Sequence, residues 1–293
     1  MSKTIAEGFQ AFLSKIQPLS SEHERAVKHK DSIKSCVANS FQCYNMFDTG
    51  SFGNKTGVRH YSDTDYFAPI PADILSANSS VALRKLKEAL QYTFPRTDGI
   101  EVSNPAIQIP FGQYASETVE VTPCKFKGMS STPLGNYPSY LIPDGSGGWM
   151  YSSPQAHNKY VTTIDEKLRG KLKPLIKFIK AWKFMHTAPI VSFYVELRVT
   201  KFLESSIILS YDETIFNILN ELYKVQLADM RDPMGISGLI PSCKTAAQKS
   251  EALSKLSTAL TRAEKAYSAR VRGNLNDAFY YWNLFFNDEF PSI

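Results

Sequence analysis

Cysteine is scarce in this chain: Cys36, Cys43, Cys124 and Cys243 are all it has in 293 residues. They are scattered and none forms a C-x-x-C pair, which argues against a disulfide framework and against structural zinc. No run approaches the roughly 18 uninterrupted apolar residues of a membrane span. Met1-Ser2-Lys3-Thr4 leads into no apolar segment, so no signal peptide is expected. Internal repeats and low-complexity tracts are absent as well. Charge of one sign is modest: 33 basic and 28 acidic residues leave a net +5. That excess permits a polyanionic ligand but lacks the concentrated Lys and Arg of most DNA or RNA binders. What is present is ordinary for a globular protein, 43% apolar and 21% charged residues, which excludes a disordered or collagen-like chain. The expectation is a soluble, cytoplasmic protein of two domains or lobes, with no membrane association.

The pattern changes halfway along the chain. Residues 5–17 and 22–40 show apolar residues at helical spacing, with Ser20-Ser21 available as a cap. Short β-like runs follow at 41–47, 62–70, 105–111 and 117–125, interrupted by one clear helix at 79–94. Residues 126–156 read as loop-rich, with Asp144-Gly145-Ser146-Gly147-Gly148 the strongest turn signal. Beyond 157 the pattern is helical: 163–186, 190–206, 213–229 and 246–288, the last with a break at Gly273-Asn274. The expected fold class is α+β, a helix-flanked mixed sheet in residues 1–160 and a helical lobe in 161–293, with a cleft between them.

The chemistry concentrates in Asp48-Thr49-Gly50-Ser51-Phe52-Gly53 and Ser62-Asp63-Thr64-Asp65-Tyr66-Phe67. Gly50 ends a strand and Ser51 opens a short helix, whose first N–H groups favour a phosphate. Asp63 and Asp65, two apart on a strand, project from one face. Two such carboxylates repel each other, and a cation between them offsets the cost. Oxygen ligands with open positions suit Mg²⁺ shared with substrate phosphates. In Thr118-Val119-Glu120-Val121-Thr122 the valines alternate inward, which leaves Glu120 on the polar face as a third ligand. Three acids holding two Mg²⁺ ions form an arrangement for in-line nucleotidyl transfer. A lone D-x-D is common in exposed turns; its order and spacing with G-S and the alternating-strand acid give the pattern its meaning.

This pattern resembles the nucleotidyltransferase superfamily with a polymerase-β-like core, and more narrowly the bacterial cGAS/DncV-like nucleotidyltransferases, the CD-NTases. The resemblance extends through Lys173-Pro174-Leu175, Ile179-Lys180-Ala181-Trp182-Lys183, Ser192-Phe193-Tyr194-Val195-Glu196-Leu197, Asp232-Pro233-Met234-Gly235 and Phe286-Asn287-Asp288-Glu289-Phe290-Pro291. It implies an active site in the cleft between core and helical lobe. Asp63, Asp65 and Glu120 would be catalytic and metal-binding, with two Mg²⁺ ions for which Mn²⁺ substitutes. Gly50, Ser51, Lys180 and Ser192 would bind substrate, Lys180 and Ser192 gripping the donor triphosphate. Lys173, Lys177 and Lys180 also recur at helical spacing, which fits either a solvated face or a face meeting a polyanion, while Leu175, Phe178, Ile179 and Trp182 would pack inward. The third acid in this family is more often Asp; Glu120 is one methylene longer. The His/Cys zinc insertion of animal cyclic GMP–AMP synthase, through which DNA activates that enzyme, is absent.

The resemblance implies a nucleotidyltransferase that makes a cyclic oligonucleotide second messenger from nucleoside triphosphates, ATP among them, in anti-phage signalling of the CBASS type. It also implies a separate effector protein that responds to the product, and it leaves room for an activating protein or RNA. Two alternatives share the same residues: a template-independent RNA-tailing or tRNA nucleotidyltransferase, and a non-catalytic nucleotide-binding sensor. His157 reads either as a nucleotide contact or as a structural histidine. Tyr66, Tyr137 and Tyr151 are candidate base-stacking residues. The five histidines pair with no Ser or Cys elbow, so no nucleophilic triad is expected.

Overall fold

The computed structural model describes residues 4–19, 28–61, 63–112 and 117–293. The proposed cap Ser20-Ser21, the start of the helix expected at 22–40, and Ser62 lie outside the described residues. The chain divides into two compact units, one of Pro18–Tyr160 with Met234–Gly238, the other of Met1–Gln17, Val161–Pro233 and Leu239–Ile293.

The first unit is built on a seven-stranded sheet among the described residues. Strands β1 (Phe47–Asp48), β2 (Thr64–Pro69), β3 (Glu101–Ser103), β4 (Ala106–Phe111) and β5 (Glu117–Thr132) take the order β1-β2-β5-β4-β3. β2 and β5 run parallel, and the other neighbours on this path are antiparallel. A parallel pair needs a long crossover. Here it contains helix α4 (Ser79–Thr93), which Asn78 caps by accepting the Ser80 amide at 2.9 Å. Preceding elements are α1 (Ile5–Ile16), α2 (Lys30–Phe41) and the short α3 (Gly50–Gly53). Ile33 and Val37 of α2, with Leu83, Leu86 and Leu90 of α4, pack on the sheet face made by Tyr66, Ala68, Ile107, Ile109, Val119 and Val121.

Residues 126–156, expected as loop, form a β-meander instead. β5 continues to Thr132 and pairs with β6 (Gly135–Pro143), which pairs with β7 (Trp149–Ser152). Its register shifts between Phe126 and Gly128, where Gly128 adopts φ +117°, a conformation that glycine reaches without strain. The Asp144 turn is as expected: its carboxylate accepts the Ser146 and Gly148 amides at 2.8 and 2.9 Å. The run 41–47, read as a strand, is mostly irregular, with β1 at its end.

The second unit is helical. The helix read at 163–186 is two, α5 (Pro154–Lys167) and α6 (Leu172–Met185), separated where Arg169 and Gly170 turn to positive φ. Then come α7 (Ser192–Phe202), α8 (Tyr211–Lys224), the paired dipeptides β8 (Met230–Arg231) and β9 (Leu239–Ile240), α9 (Ala246–Val271) and α10 (Leu275–Phe285). Gly273 and Asn274 separate the last two helices, as the sequence indicates. α9 buries Ala252, Ala259, Ala263, Ala266 and Ala269, small residues that let neighbouring helices approach.

The assignment of α1 differs from the sequence reading, which placed it with the sheet. Thr4 and Glu7 start α1 with a capping box. Its Phe9 and Phe12 then join an aromatic cluster with Phe178, Trp282, Phe286 and Phe290, which brings α1 into the helical unit. Phe12 lies fully buried, its ring 4.2 Å from that of Phe286. Phe12→Ala is expected to cost about 3–5 kcal/mol in urea unfolding. Lys15→Ala, which removes an exposed ion pair to Glu289, should cost under about 1 kcal/mol. Equal effects from the two would show that α1 is not anchored through its aromatic face.

Candidate active site

The register between β2 and β5 builds the site. Val119 and Val121 face the core, so Glu120 takes the opposite face of β5; likewise Tyr66 faces the core and Asp65 the opposite side of β2. Parallel pairing then sets Asp65 directly beside Glu120. Asp63 stands two residues before Asp65, just ahead of the strand, and all three acids are half-buried. Gln108 of β4 is in register with Glu120 on its other side. Asp65, Glu120 and Gln108 thus form one polar row across three strands. Gln108 escapes the sequence reading because it sits in a run read simply as strand; alternation against Ile107 and Ile109 was the available signal.

Gly50 and Ser51 are placed against this row by α3. The Thr49 amide donates to the Asp65 carbonyl at 2.8 Å, which ties the start of α3 to β2. Gly50 has φ +57°, and a Cβ there would overlap the Asp65 carboxylate. Glycine is therefore required twice over, by conformation and by close approach. Asp48 lies on the opposite face of the sheet from Asp65, alongside Tyr66, and is held by Lys30 at 3.0 Å.

Among the described residues no three His, Cys, Asp or Glu side chains form a ready-made metal cluster. The backbone fixes the Asp65–Glu120 pair, with Asp63 adjacent in sequence. That fits Mg²⁺, which is commonly bound by one or two carboxylates plus substrate phosphates and keeps several waters, without an all-protein cage. The residues present therefore suit such an ion in kind, with the Asp65–Glu120 pair set side by side by strand register.

In the helical unit the structure corrects the lysine assignment. Lys180 is 1% exposed, and its ammonium pairs with Glu196 Oε1 at 2.8 Å. It is locked inside the packing of α6 against α7 and is not presented to a ligand. The group that meets Ser192 is Lys183, whose Nζ donates to Ser192 Oγ at 3.0 Å. Going forward from 180 to 183 on one helix and back from 196 to 192 on the other, the two contacts mark an antiparallel pair. Spacing alone could not choose between Lys180 and Lys183, because one helical turn separates them. The lysine stripe is not a solvated face: Lys173 Nζ donates to Thr162 at 3.1 Å, and Lys177 is buried. Burial, then the nearby charges of Lys180 and Lys173, hold the Lys177 ammonium below its usual pKa range. Leu175, Phe178, Ile179 and Trp182 do pack inward.

The other candidates separate clearly. Tyr66 is fully buried on the core face, where desolvation pushes its hydroxyl pKa well above the usual range, so it cannot stack on a base. Tyr137 donates its hydroxyl to the Leu134 carbonyl at 3.3 Å, and Tyr151 is exposed. His157 is buried in α5, as suits a structural histidine. All four cysteines are free thiols. Among the described residues no helix is long and apolar enough to cross a membrane.

A family described as Second Messenger Oligonucleotide or Dinucleotide Synthetase domain (SMODS) matches residues 3–164. A probable cyclic nucleotide synthase of Bacillus cereus (strain VD146) is 27% identical over 154 residues, 52% of this chain and 46% of that protein. A cyclic AMP-AMP-AMP synthase of Acinetobacter sp. (strain ATCC 27244 / 9458) is 29% identical over 112 residues, 36% of this chain and 30% of that protein. The matches thus span less than half the length of these curated relatives. Among solved structures, E. coli MS115-1 CdnC with ATP superposes with a TM-score of 0.74 at 15% identity, covering 98% of each chain. Vibrio cholerae DncV, a cyclic AMP-GMP synthase in complex with a linear intermediate, gives 0.64 at 15% identity over 85% of this chain and 70% of that one. At these identities the likeness is one of fold, the mixed sheet with helices of polymerase-β-like nucleotidyltransferases.

Breaking the Lys180–Glu196 pair by Glu196→Leu should cost about 3–5 kcal/mol by leaving a buried ammonium unpaired. Replacing both partners, Lys180→Met with Glu196→Leu, should recover most of that loss. Unfolding midpoints of the two variants check this; no recovery in the double variant would return Lys180 to the list of ligand-binding candidates.

Proposed function

Because the chain belongs to the family of Second Messenger Oligonucleotide or Dinucleotide Synthetase domains, we propose that it is a nucleotidyltransferase making a cyclic oligonucleotide second messenger from nucleoside triphosphates. The observation that carries this reading is the in-register placement of Asp65 beside Glu120, with Gly50 packed against the Asp65 carboxylate. Like charges side by side on paired strands repel. A chain that keeps them there, behind a glycine admitting no side chain, is built to share a cation with a ligand.

Asp63, Asp65 and Glu120 would hold two Mg²⁺ ions, or Mn²⁺ in their place. Bound there, the ions would lower the pKa of an attacking hydroxyl and neutralise charge on the leaving pyrophosphate. The chain's own part is positioning. The backbone amides at Gly50 and Ser51 offer donors to a phosphate. Glu120 would orient the hydroxyl that attacks the α-phosphorus. A new P–O bond forms, the bond to pyrophosphate breaks, and the hydroxyl proton passes to solvent. On the helical unit, the Lys183–Ser192 pair replaces Lys180–Ser192 as the proposed grip on the donor triphosphate, because its ammonium and hydroxyl already meet at 3.0 Å.

The wider role follows the family: anti-phage signalling in which the product acts on a separate effector protein. A complex of E. coli MS115-1 CdnC with HORMA-deltaN supports a protein partner as the form of control to look for.

Mass spectrometry of products from all four nucleoside triphosphates with Mg²⁺ tests the assignment. A phosphatase-resistant product is expected without any RNA acceptor; RNA-dependent incorporation would favour a tailing enzyme instead. Asp65→Asn and Glu120→Gln should each lower product formation by roughly 100-fold or more while circular dichroism stays unchanged. Gly50→Ala should do the same by displacing the Asp65 carboxylate. Near-wild-type turnover in the Asp65 variant would sink the proposal. Lys183→Ala, compared with Lys180→Met, should show the larger rise in KM for the donor.

A further inference from the structure

The helical unit holds a cavity of about 170 Å³ lined by Trp182, His186, Ser254, Lys255, Thr258 and Arg262. None of these residues belongs to the acid-bearing site or to the Lys183–Ser192 pair. Ser254, Lys255, Thr258 and Arg262 recur on one face of α9, while Trp182 and His186 come from the C-terminal end of α6.

The charge in this cavity is arranged to persist. Arg262 Nη1 donates to the Leu284 carbonyl at 2.7 Å, which uses one of the guanidinium's five N–H donors. Among the described residues no carboxylate pairs with it. Lys255 Nζ donates to Thr187 O and Oγ1, each at 3.0 Å, and to Glu251 Oε1 at 2.6 Å, so Glu251 offsets its charge. His186 Nε2 lies 2.9 Å from the Phe285 carbonyl, which requires the proton on Nε2 and leaves Nδ1 for another partner. Burial first, and the charges of Arg262 and Lys255 as well, hold the imidazole below its usual pKa range against the pull of the Phe285 carbonyl. The walls therefore crowd positive charge, and Glu251 balances one of two fixed cations. Ser254 and Thr258 are exposed at its rim, where the Thr258 hydroxyl donates to the Ser254 carbonyl at 3.3 Å and the Ser254 hydroxyl faces solvent. The volume is well under the roughly 300 Å³ at which drug-sized sites begin, so it suits a small polar group.

We propose that this cavity binds the phosphate group of a small phosphorylated ligand, held by the Arg262 fork and the Ser254 hydroxyl. A guanidinium fork matches phosphate oxygens, and each such bond is charge-assisted. The site is independent of the proposed nucleotidyl transfer: it stands on residues of the helical unit alone. Inorganic phosphate, pyrophosphate and a phosphomonoester share the recognised group.

Isothermal titration calorimetry of the full chain in EDTA, at fixed ionic strength, distinguishes these sources with inorganic phosphate, pyrophosphate and adenosine 5′-monophosphate as probes. Saturable single-site binding of at least one probe is expected, weakened roughly tenfold or more by Arg262→Gln. Ser254→Asp, at an exposed rim position, should weaken it similarly through repulsion while leaving thermal unfolding unchanged. Asp65→Asn should bind like the wild type, which separates this cavity from the acid-bearing row. Absence of saturable heat with all three probes overturns the proposal. So does unchanged affinity in Ser254→Asp, or loss of binding in Asp65→Asn.

Discussion

The parallel pairing of β2 with β5 is the constraint on which the proposed chemistry depends. It is held by apolar residues and not by the acids it displays. Tyr66 and Ala68 of one strand, with Val119 and Val121 of the other, are buried in a common cluster. A slip of one residue would turn Asp65 or Glu120 into that cluster, and burying a carboxylate among hydrocarbons costs far more than any gain in pairing. The hydrophobic effect thus fixes where two like charges stand, and the Thr49–Asp65 backbone bond brings the glycine turn against them. The energetic cost of the site is met by packing on the other face of the same strands.

Much of this arrangement is legible in the sequence, because alternation reports a sheet face directly. The string Thr118-Val119-Glu120-Val121-Thr122 places Glu120 opposite the core without any knowledge of neighbours, and Thr64-Asp65-Tyr66 does the same for Asp65, while Asp63 lies just ahead of the strand. Where alternation fades, so does the reading. The meander of β5, β6 and β7 is half-exposed and punctuated by Gly128, Gly135, Pro138 and Pro143, so its strands resemble loop until their pairing partners are known. The break between α5 and α6 was hidden for a related reason. Apolar spacing continues on both sides of Gly170, and the turn there depends on two positive-φ residues rather than on a gap in the pattern.

Tertiary partners decide the rest. α1 reads as an amphipathic helix grouped with the sheet, but Phe9 and Phe12 find their partners in aromatic rings contributed from Phe178 and from the region of Trp282–Phe290. In Lys180-Ala181-Trp182-Lys183 both lysines are plausible partners for a serine on the next helix. The antiparallel approach of α7 settles it: Glu196 arrives opposite Lys180 and Ser192 opposite Lys183. A buried ion pair of this kind adds little net stability over apolar residues of similar volume. Its consequence is register, since sliding α7 along α6 would strand both charges. The buried Lys180–Glu196 pair thereby fixes the position of the pair proposed to bind a ligand.

Acidic and cationic groups are held by different devices in the two units. In the sheet unit, strand register displays carboxylates that repel one another, an arrangement that favours a cation. In the helical unit, Arg262 and His186 are braced by the carbonyls of Leu284 and Phe285, at the C-terminal end of α10. Leu284 O also accepts the Asn287 amide at 3.4 Å, and both carbonyls lie at the negative end of the helix dipole. They satisfy N–H donors and favour positive charge without supplying a full negative charge to cancel it. A carboxylate in their place would neutralise Arg262 and close the cavity to anions. Backbone acceptors leave the guanidinium both oriented and still electrostatically unspent, the condition under which a small phosphate gains from entering.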